Sequence, residues 1–318
     1  MLSFSQNEIL NYFKDAVLKG SLHSSYIIYG PKGCGKSHLS TFIQMVFACE
    51  KSNACAVCDG CKRAINKSDL DILYLEPNEK GNFEVKSVRE IIKKVNESTF
   101  LSKYKLVIID DSQNLDKVCQ NALLKIIETP SENTVFVFLT NSLGSLLPTI
   151  KSRCINLKLE AFKVDELKKI VELDEKDEYL YTYSQGDLKK LKLLSKDASF
   201  KDIREKTIEL FINLLNSPES FYEAVRFFAD DKETRSEKIN ILSLVITDVL
   251  MYKKGLDEMI LNEDKKDQIK KLDEILTQTK CFEILDLTLS LEGKFNHNEN
   301  PAMQFYLYFN MLRGIFHK

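Results

Sequence analysis

Residues 30–37 read Gly30-Pro31-Lys32-Gly33-Cys34-Gly35-Lys36-Ser37, the spacing G-x-x-x-x-G-K-[ST]. Each position has a chemical reason. Glycines let a loop turn its backbone N–H groups inward around phosphate oxygens, the lysine supplies a point charge to β- and γ-phosphates, and the serine offers a hydroxyl to Mg²⁺. An apolar run, Tyr26 to Tyr29, precedes the loop and a helical pattern, His38 to Ala48, follows it. The competing reading is a glycine-rich turn that matches by coincidence. A phosphate loop also needs a carboxylate at the end of a neighbouring strand to organise metal and water. The run Leu106 to Ile109 ends in Asp110 and Asp111. Asp110 is expected to hold Mg²⁺ through water. Asp111 stands where hydrolysing enzymes of this kind carry a glutamate, and its shorter side chain reaches less far. Read alone, the pair would be a helix N-cap or a loop; the phosphate loop upstream reverses that preference.

Four of the eight cysteines crowd into one short segment with spacing C-x5-C-x2-C-x2-C: Cys49, Cys55, Cys58 and Cys61. Two residues between cysteines let a tight turn present both sulfurs to one ion, and four thiolates close a tetrahedral shell with no position open to substrate. The expectation is a structural Zn²⁺ site, against reduced free thiols or an iron-sulfur cluster. Cys34, Cys119, Cys154 and Cys281 are isolated and read as core residues.

The elements that must position these groups follow from periodicity. Ile9, Leu10, Phe13, Val17 and Leu18 predict a helix over 6–19, closed by Gly20. Near-continuous apolar runs begin at 26, 71, 105 and 134, with a helical pattern over Val85, Val88, Ile91, Ile92 and Val95 between the second and third. Such strands alternating with helices predict a parallel sheet covered on both faces. After about residue 160 the pattern becomes helical, and Pro218 and Pro301 both stand at predicted helix starts. The fold class expected is therefore an α/β P-loop domain over 1–160 with a four-cysteine zinc module inserted at 49–61, a small helical unit over 161–205, and an all-helical domain over 206–318.

With 318 residues, 44% hydrophobic and 29% charged, the composition is that of a globular protein of two or three domains. The formal charge of −2 announces no general affinity for nucleic acid, so any DNA contact must come from a local patch. The first ten residues carry neither a basic n-region nor a long apolar stretch, which argues against a secretory signal. The uncharged window 133–150 contains Asn141, Gly144 and Pro148 and reads as a strand and loop rather than a membrane span. A cytoplasmic location is expected.

Several of these motifs recur in one order. The segments YIIYGPKGCGKS, the cysteine knuckle directly after the loop's helix, VIIDDSQNLDKVCQNALLKIIETP, FVFLTNSLGSLLPTIKSRC, and NHNENPAMQFYLYFNML near the end together resemble the bacterial DNA polymerase III clamp-loader subunits of the AAA+ class, with the delta-prime members the best match. The likeness runs through essentially the whole chain, and LLPTIKSRC is its most specific element. The resemblance implies ATP or ADP with Mg²⁺ at the P-loop and structural Zn²⁺ in the knuckle. It also implies a lid at 161–205 and a collar domain at 206–318 that anchors the chain in a five-membered ring. In that ring the partners would be motor (gamma/tau) and delta subunits, the sliding clamp, and primed DNA through the assembled complex. Arg153, in Ser152-Arg153-Cys154, would act as an arginine finger at a neighbour's ATP, the task a guanidinium's fixed charge and fork suit. Asn141 matches the polar sensor at a strand end, and Lys189 the second sensor, with Lys190 competing for that role.

The motor subunit is the nearest alternative, but the segment before the first helix lacks its YRP sequence. The delta subunit usually lacks both P-loop and SRC arginine. Three readings remain: a ring subunit that binds ATP and hydrolyses it weakly or not at all, a self-contained P-loop nucleotide kinase, and a structural ring member whose P-loop is idle. The kinase would need an arginine-rich closing lid, which the lysine-rich segment after residue 160 does not offer.

Overall fold

The computed structural model describes residues 2–214, 217–294 and 300–317. They divide into two compact units, Met1–Glu172 with Ser184–Leu191, and Leu173–Tyr183 with Lys192–Lys318. The segment expected as a separate lid, 161–205, is thus shared between them.

In the first unit, α1 (Phe4–Lys19) leads to β1 (Ser25–Tyr29), α2 (Lys36–Ala48) and α3 (Asp59–Ile65). β2 (Ile72–Leu75), α4 (Val85–Val95), β3 (Lys105–Ile109) and α5 (Lys117–Glu128) follow. The sheet is completed by β4 (Thr134–Thr140), α6 (Pro148–Lys151) and β5 (Ile155–Lys158), and α7 (Val164–Ile170) comes after it. The strand order is β2-β3-β4-β1-β5 and every pairing is parallel. β3 and β4 are buried along their whole length and β1 along all but its last residue, which is why they read as unbroken apolar runs.

The pleat sorts their side chains. Tyr26, Ile28, Leu106, Ile108, Val135 and Val137 face Ile9, Phe13, Leu39, Ile43 and Val46 of α1 and α2. Ile27, Val107, Ile109, Phe136 and Phe138 face Val88, Ile91, Leu123 and Ile127 of α4 and α5. A period of two along the strands and 3.6 along the helices therefore yields one core on each face of the sheet. α1 starts with a capping box between Ser3 and Gln6 and ends, as its sequence predicts, at Gly20 in the left-handed region. The window 133–150 is a strand, a loop and the short α6.

β5 has no counterpart in the sequence reading. It is a four-residue edge strand whose burial alternates, too short and too polar to stand out beside β3 or β4. Its pairing extends to the loop that follows, where Leu159 N donates to Tyr29 O at 2.7 Å.

The chain continues through α8 (Tyr179–Tyr183) and α9 (Leu188–Leu194) into α10 (Ala198–Asn213), α11 (Pro218–Ala229), α12 (Arg235–Lys253), α13 (Lys266–Ile275), α14 (Gln278–Lys294) and α15 (Pro301–His317). Pro218 and Pro301 open α11 and α15, where a missing N–H costs nothing. The first residues of the NHNENP segment, 296–299, lie outside the described residues. α12 is the axis of the second unit and buries Ile241, Leu242, Val245, Ile246 and Val249, while Phe228 of α11 packs its ring on Phe305 and Phe309 of α15.

One polar knot ties the helices of this unit together. Arg204 of α10 is fully buried, stacked 3.7 Å from the ring centroid of Tyr179. It donates to Asp264 at 2.6 and 2.9 Å and to Asn262 Oδ1 at 2.7 Å. Asn262 in turn receives the Tyr183 hydroxyl at 2.9 Å and donates to Asp248 of α12 at 2.6 Å. Burial pushes the Asp248 carboxyl above its usual range and the Tyr183 phenol up to about 12. Removing the arginine would strand these partners, so Arg204→Ala is expected to destabilise the protein by about 3 kcal/mol, the low end for breaking a buried ion pair because Asp264 is partly exposed. The chain has no tryptophan, so the measurement is urea unfolding followed by circular dichroism. A loss below about 1 kcal/mol would show that the knot is replaceable.

Candidate nucleotide and metal sites

The phosphate loop begins where β1 runs out between β4 and β5. Gly30 has no room for a side chain, since a β-carbon there would lie 2.2 Å from Leu159 O. Its N–H continues the ladder to Thr140 O at 3.2 Å. Gly33 and Gly35 take φ values of +76° and +82°, which only glycine adopts without strain. Gln6 braces the loop from α1: its Nε2 donates to Cys34 O at 2.9 Å and occupies the space beside Gly35. Pro31 and Lys32 are exposed. Cys34 is buried, which pushes its thiol up even with Lys36 near it. Lys36 opens α2 with its ammonium drawn into the loop, donating to Gly30 O and Pro31 O at 2.8 Å each.

The sequence-predicted carboxylate is in reach of the loop. Ser37 Oγ donates to Asp110 Oδ2 at 3.1 Å, which places a hydroxyl and a carboxylate together where Mg²⁺ would need both. Burial raises the Asp110 carboxyl above its usual range, although the Asp111 N–H and the Ser37 hydroxyl draw it back. Asp111 is exposed and sits in the left-handed region at φ +47°. Its Oδ1 accepts from Gln113 Nε2 at 2.8 Å, and Gln113 Oε1 accepts the backbone N–H of Asn141 at 2.9 Å. Gln113 therefore ties the end of β3 to the end of β4. The sequence reading missed it, as it missed Gln6, because a glutamine next to a motif carries no spacing signal of its own.

Arg153 lies elsewhere. It precedes β5 by two residues, and Ile155 pairs with Tyr26 at the start of β1, so Arg153 is at the amino edge of the sheet while Gly30 is at the carboxyl edge. Four residues of strand separate the two edges by about 13 Å. Its guanidinium is half-exposed, donating to Thr149 O at 2.9 Å and paired with Glu128 at 2.8 Å. An exposed pair of this kind contributes at most about 1 kcal/mol and leaves the arginine available to a stronger anion. Lys189 is exposed on α9, and Lys190, half-buried, donates its backbone N–H to Asp187 at 2.9 Å.

The four clustered cysteines converge. Their sulfurs lie within 4.8 Å of one another, with Cys49–Cys55 at 3.7 Å and Cys55–Cys61 and Cys58–Cys49 at 3.9 Å. A regular tetrahedron with Zn–S bonds of about 2.3 Å requires S···S separations of about 3.8 Å, so the donor set fits zinc. Ser52 and Ala54 take left-handed φ, the local form by which the five-residue gap turns tightly enough to bring Cys49 to Cys55, and Ala56 does the same in the gap between Cys55 and Cys58. Burial resists ionisation of Cys49, but N–H groups near residues 51, 53 and 55 outweigh it and lower the thiol to about 6; burial holds Cys61 up at about 12. The cation would have to draw the last proton from the cluster.

Cys49 and Cys61 also belong to the core formed by α1 and α2, which anchors the module to the sheet domain. Gly60 is the tight point, since a β-carbon there would lie 1.8 Å from Ala48 O. Chelation or Cys58→Ser is expected to unfold the 49–65 module and lower the melting temperature while the P-loop stays intact. Full retention of stability after metal removal would mean that the cluster is not a structural site. Gly60→Ala should weaken metal retention without touching a ligand, read as faster zinc release to a chromogenic chelator; an unchanged rate would show that α3 can shift freely.

Comparison with known proteins bears on this arrangement. A family model described as DNA polymerase III, delta subunit, matches residues 5–163, and one described as DNA polymerase III, delta subunit, C terminal, matches residues 198–313. DNA polymerase III subunit tau of Escherichia coli (strain K12) is 26% identical over 166 residues, 51% of this chain and 26% of that protein. Subunit delta′ of Pseudomonas aeruginosa is 33% identical over 135 residues, 41% of each chain. The matches therefore span less than half the length of either relative. Among solved structures, a gamma subunit-related protein of Thermotoga maritima covers 96% of this chain and 99% of that one at 19% identity and a TM-score of 0.45. No described helix is long and apolar enough to cross a membrane. Because the first family model takes in half the chain, from α1 through β5, and the second most of the helical region after α9, the chain belongs to the DNA polymerase III delta-subunit family.

Proposed function

We propose that this chain is a delta-prime-type subunit of a clamp loader, which binds ATP at Gly30–Ser37 and supplies Arg153 to the ATP site of an adjacent subunit. The observation that carries this reading is the placement of Arg153 at the amino edge of the sheet, opposite its own phosphate loop. An arginine so placed is out of reach of its own nucleotide and faces outward, where another subunit's γ-phosphate could meet it. Mg²⁺ would be held by Ser37 and, through water, by Asp110, and Asn141 would read the phosphate from the end of β4. Either Lys189 or Lys190 would serve as the second sensor.

Asp111 supports weak hydrolysis by this chain itself, because its carboxylate is short and engaged with Gln113. ATP binding around the ring would favour the shape that opens the sliding clamp, with hydrolysis on primed DNA releasing it. The helical domain, 206–318, would hold the chain among motor and delta subunits, and Zn²⁺ in Cys49, Cys55, Cys58 and Cys61 would stabilise the knuckle. The setting would be cytoplasmic. A motor-type subunit of the same complex is the second reading, favoured by the intact loop and the match to tau.

ATPase activity of the purified chain, alone and mixed with motor and delta subunits, clamp and primed DNA, tests both. The chain alone is expected to turn over negligibly, and Arg153→Ala to lower the rate of the mixture by about 10³-fold at the completed site while leaving this chain's own ATP affinity unchanged. A mixture insensitive to Arg153→Ala would remove the finger assignment. Rapid turnover by the chain alone would favour the motor reading.

A further inference from the structure

Residues 184–191 return to the first unit. Gly186 fixes them there: at φ +76°, it lies so close that a β-carbon would meet Ala161 Cβ and Phe162 O at 2.7 Å each, and its carbonyl accepts the Phe162 N–H at 3.3 Å. The next residue, Asp187, immediately precedes α9 and caps it, its Oδ1 accepting the Lys190 N–H at 2.9 Å. The same carboxylate lies on the phosphate loop. A β-carbon on Gly33 would be 1.8 Å from Asp187 Cγ and 2.0 and 2.3 Å from its two oxygens. Asp187 therefore fills the volume that a side chain on Gly33 would take. Lys36 does not answer this charge, because its Nζ is committed to the carbonyls of Gly30 and Pro31. A loop whose composition suits polyphosphate thus carries a carboxylate against one of its glycines.

We propose that Asp187 is an electrostatic gate on the phosphate loop, its carboxylate opposing polyphosphate until it is moved off Gly33. The proposal rests on reading the loop as a nucleotide site and adds a determinant of its affinity. Repulsion between the carboxylate and the phosphates grows with the number of phosphate charges, whereas a purely structural role as a helix cap does not depend on the ligand. Nucleotide entry then requires the 184–191 segment to yield, so loop occupancy and the position of this segment are linked.

Asp187→Asn separates these roles, because asparagine caps a helix as well as aspartate and lacks the charge. Calorimetric titration of the full chain and of this variant with ATP, ADP and AMP in Mg²⁺ is the experiment. The expected result is at least roughly tenfold tighter ATP binding in the variant, somewhat above the effect of one close like-charge contact screened as in bulk water, with a smaller gain for ADP and the least for AMP. The gain should shrink in about 0.5 M salt, where the Debye length falls below ~5 Å. Unchanged or weaker ATP binding, or the same change for all three nucleotides, would overturn the gate. Lys36→Ala distinguishes the underlying reading: binding that is lost in Lys36→Ala yet unchanged in Asp187→Asn refutes the gate alone. Absence of ATP binding in wild type and both variants removes the nucleotide site and the gate together.

Discussion

The carboxyl edge of the sheet depends on how little room is left around β1. The strand is buried on both faces and flanked on both sides by parallel neighbours, so at Tyr29 the chain must leave a filled layer without colliding with the segments after β4 and β5. Only glycine passes Leu159 O at the distance Gly30 keeps, and only residues tolerant of positive φ turn the loop back into α2. The ends of β3 and β4 come to the same edge because all the strands run one way. Register brings Asp110 and Asn141 to that edge, where the Asp110 carboxylate accepts the Ser37 hydroxyl and Asn141 sits beside the root of the loop. The crevice beyond the carboxyl ends of such strands is the general place for a ligand in an open α/β sheet.

Much of this was legible in the sequence because the responsible signals are local. A phosphate loop is eight consecutive residues, β3 and β4 are uninterrupted apolar runs, and the cysteine spacing is short enough that only a few turn geometries connect it. What was not legible depends on contacts between distant positions. β5 shows in the sheet only because Ile155 to Lys158 can pair with an already formed β1. Gln6 acts on a loop 28 residues away, and Gln113 matters because β4 ends beside it. Asp187 belongs to the phosphate loop only after the chain has left the sheet domain and returned. Arg204 reads in sequence as one more charged helical residue, yet it is among the largest fully buried side chains described.

The cysteine module illustrates how metal and core share a task. Its turn places three non-glycine residues in the left-handed region, a conformation that costs of order 1 kcal/mol or more for each. Hydrophobic packing in so short a segment offsets only part of that, since Val57 remains largely exposed. Four metal-thiolate bonds would offset the rest. Cys49 and Cys61, packed under α1 and α2, would transmit that stabilisation to the end of the helix that begins at the phosphate loop. Metal and phosphate ligands would thus hold opposite ends of α2, with Lys36 at one and Cys49 just beyond the other.

Two features on opposite edges of one rigid sheet give the chain a direction. The phosphate loop lies at the carboxyl edge and Arg153 at the amino edge, with a buried apolar core packed on the sheet between them. A packed parallel sheet is a poor spring, because interiors are dense and small displacements cost energy at many contacts at once. A change at Gly30–Ser37 therefore moves Arg153 chiefly as part of the whole unit, and coupling between neighbouring sites would be carried by rigid-body rotation rather than by distortion inside the sheet. The returning segment 184–191 is held by Gly186 against residues 161 and 162 and by Asp187 against Gly33. One of its contacts is made to the very loop a nucleotide would occupy. That makes Asp187, rather than the strands, the point where occupancy of the loop would first be felt.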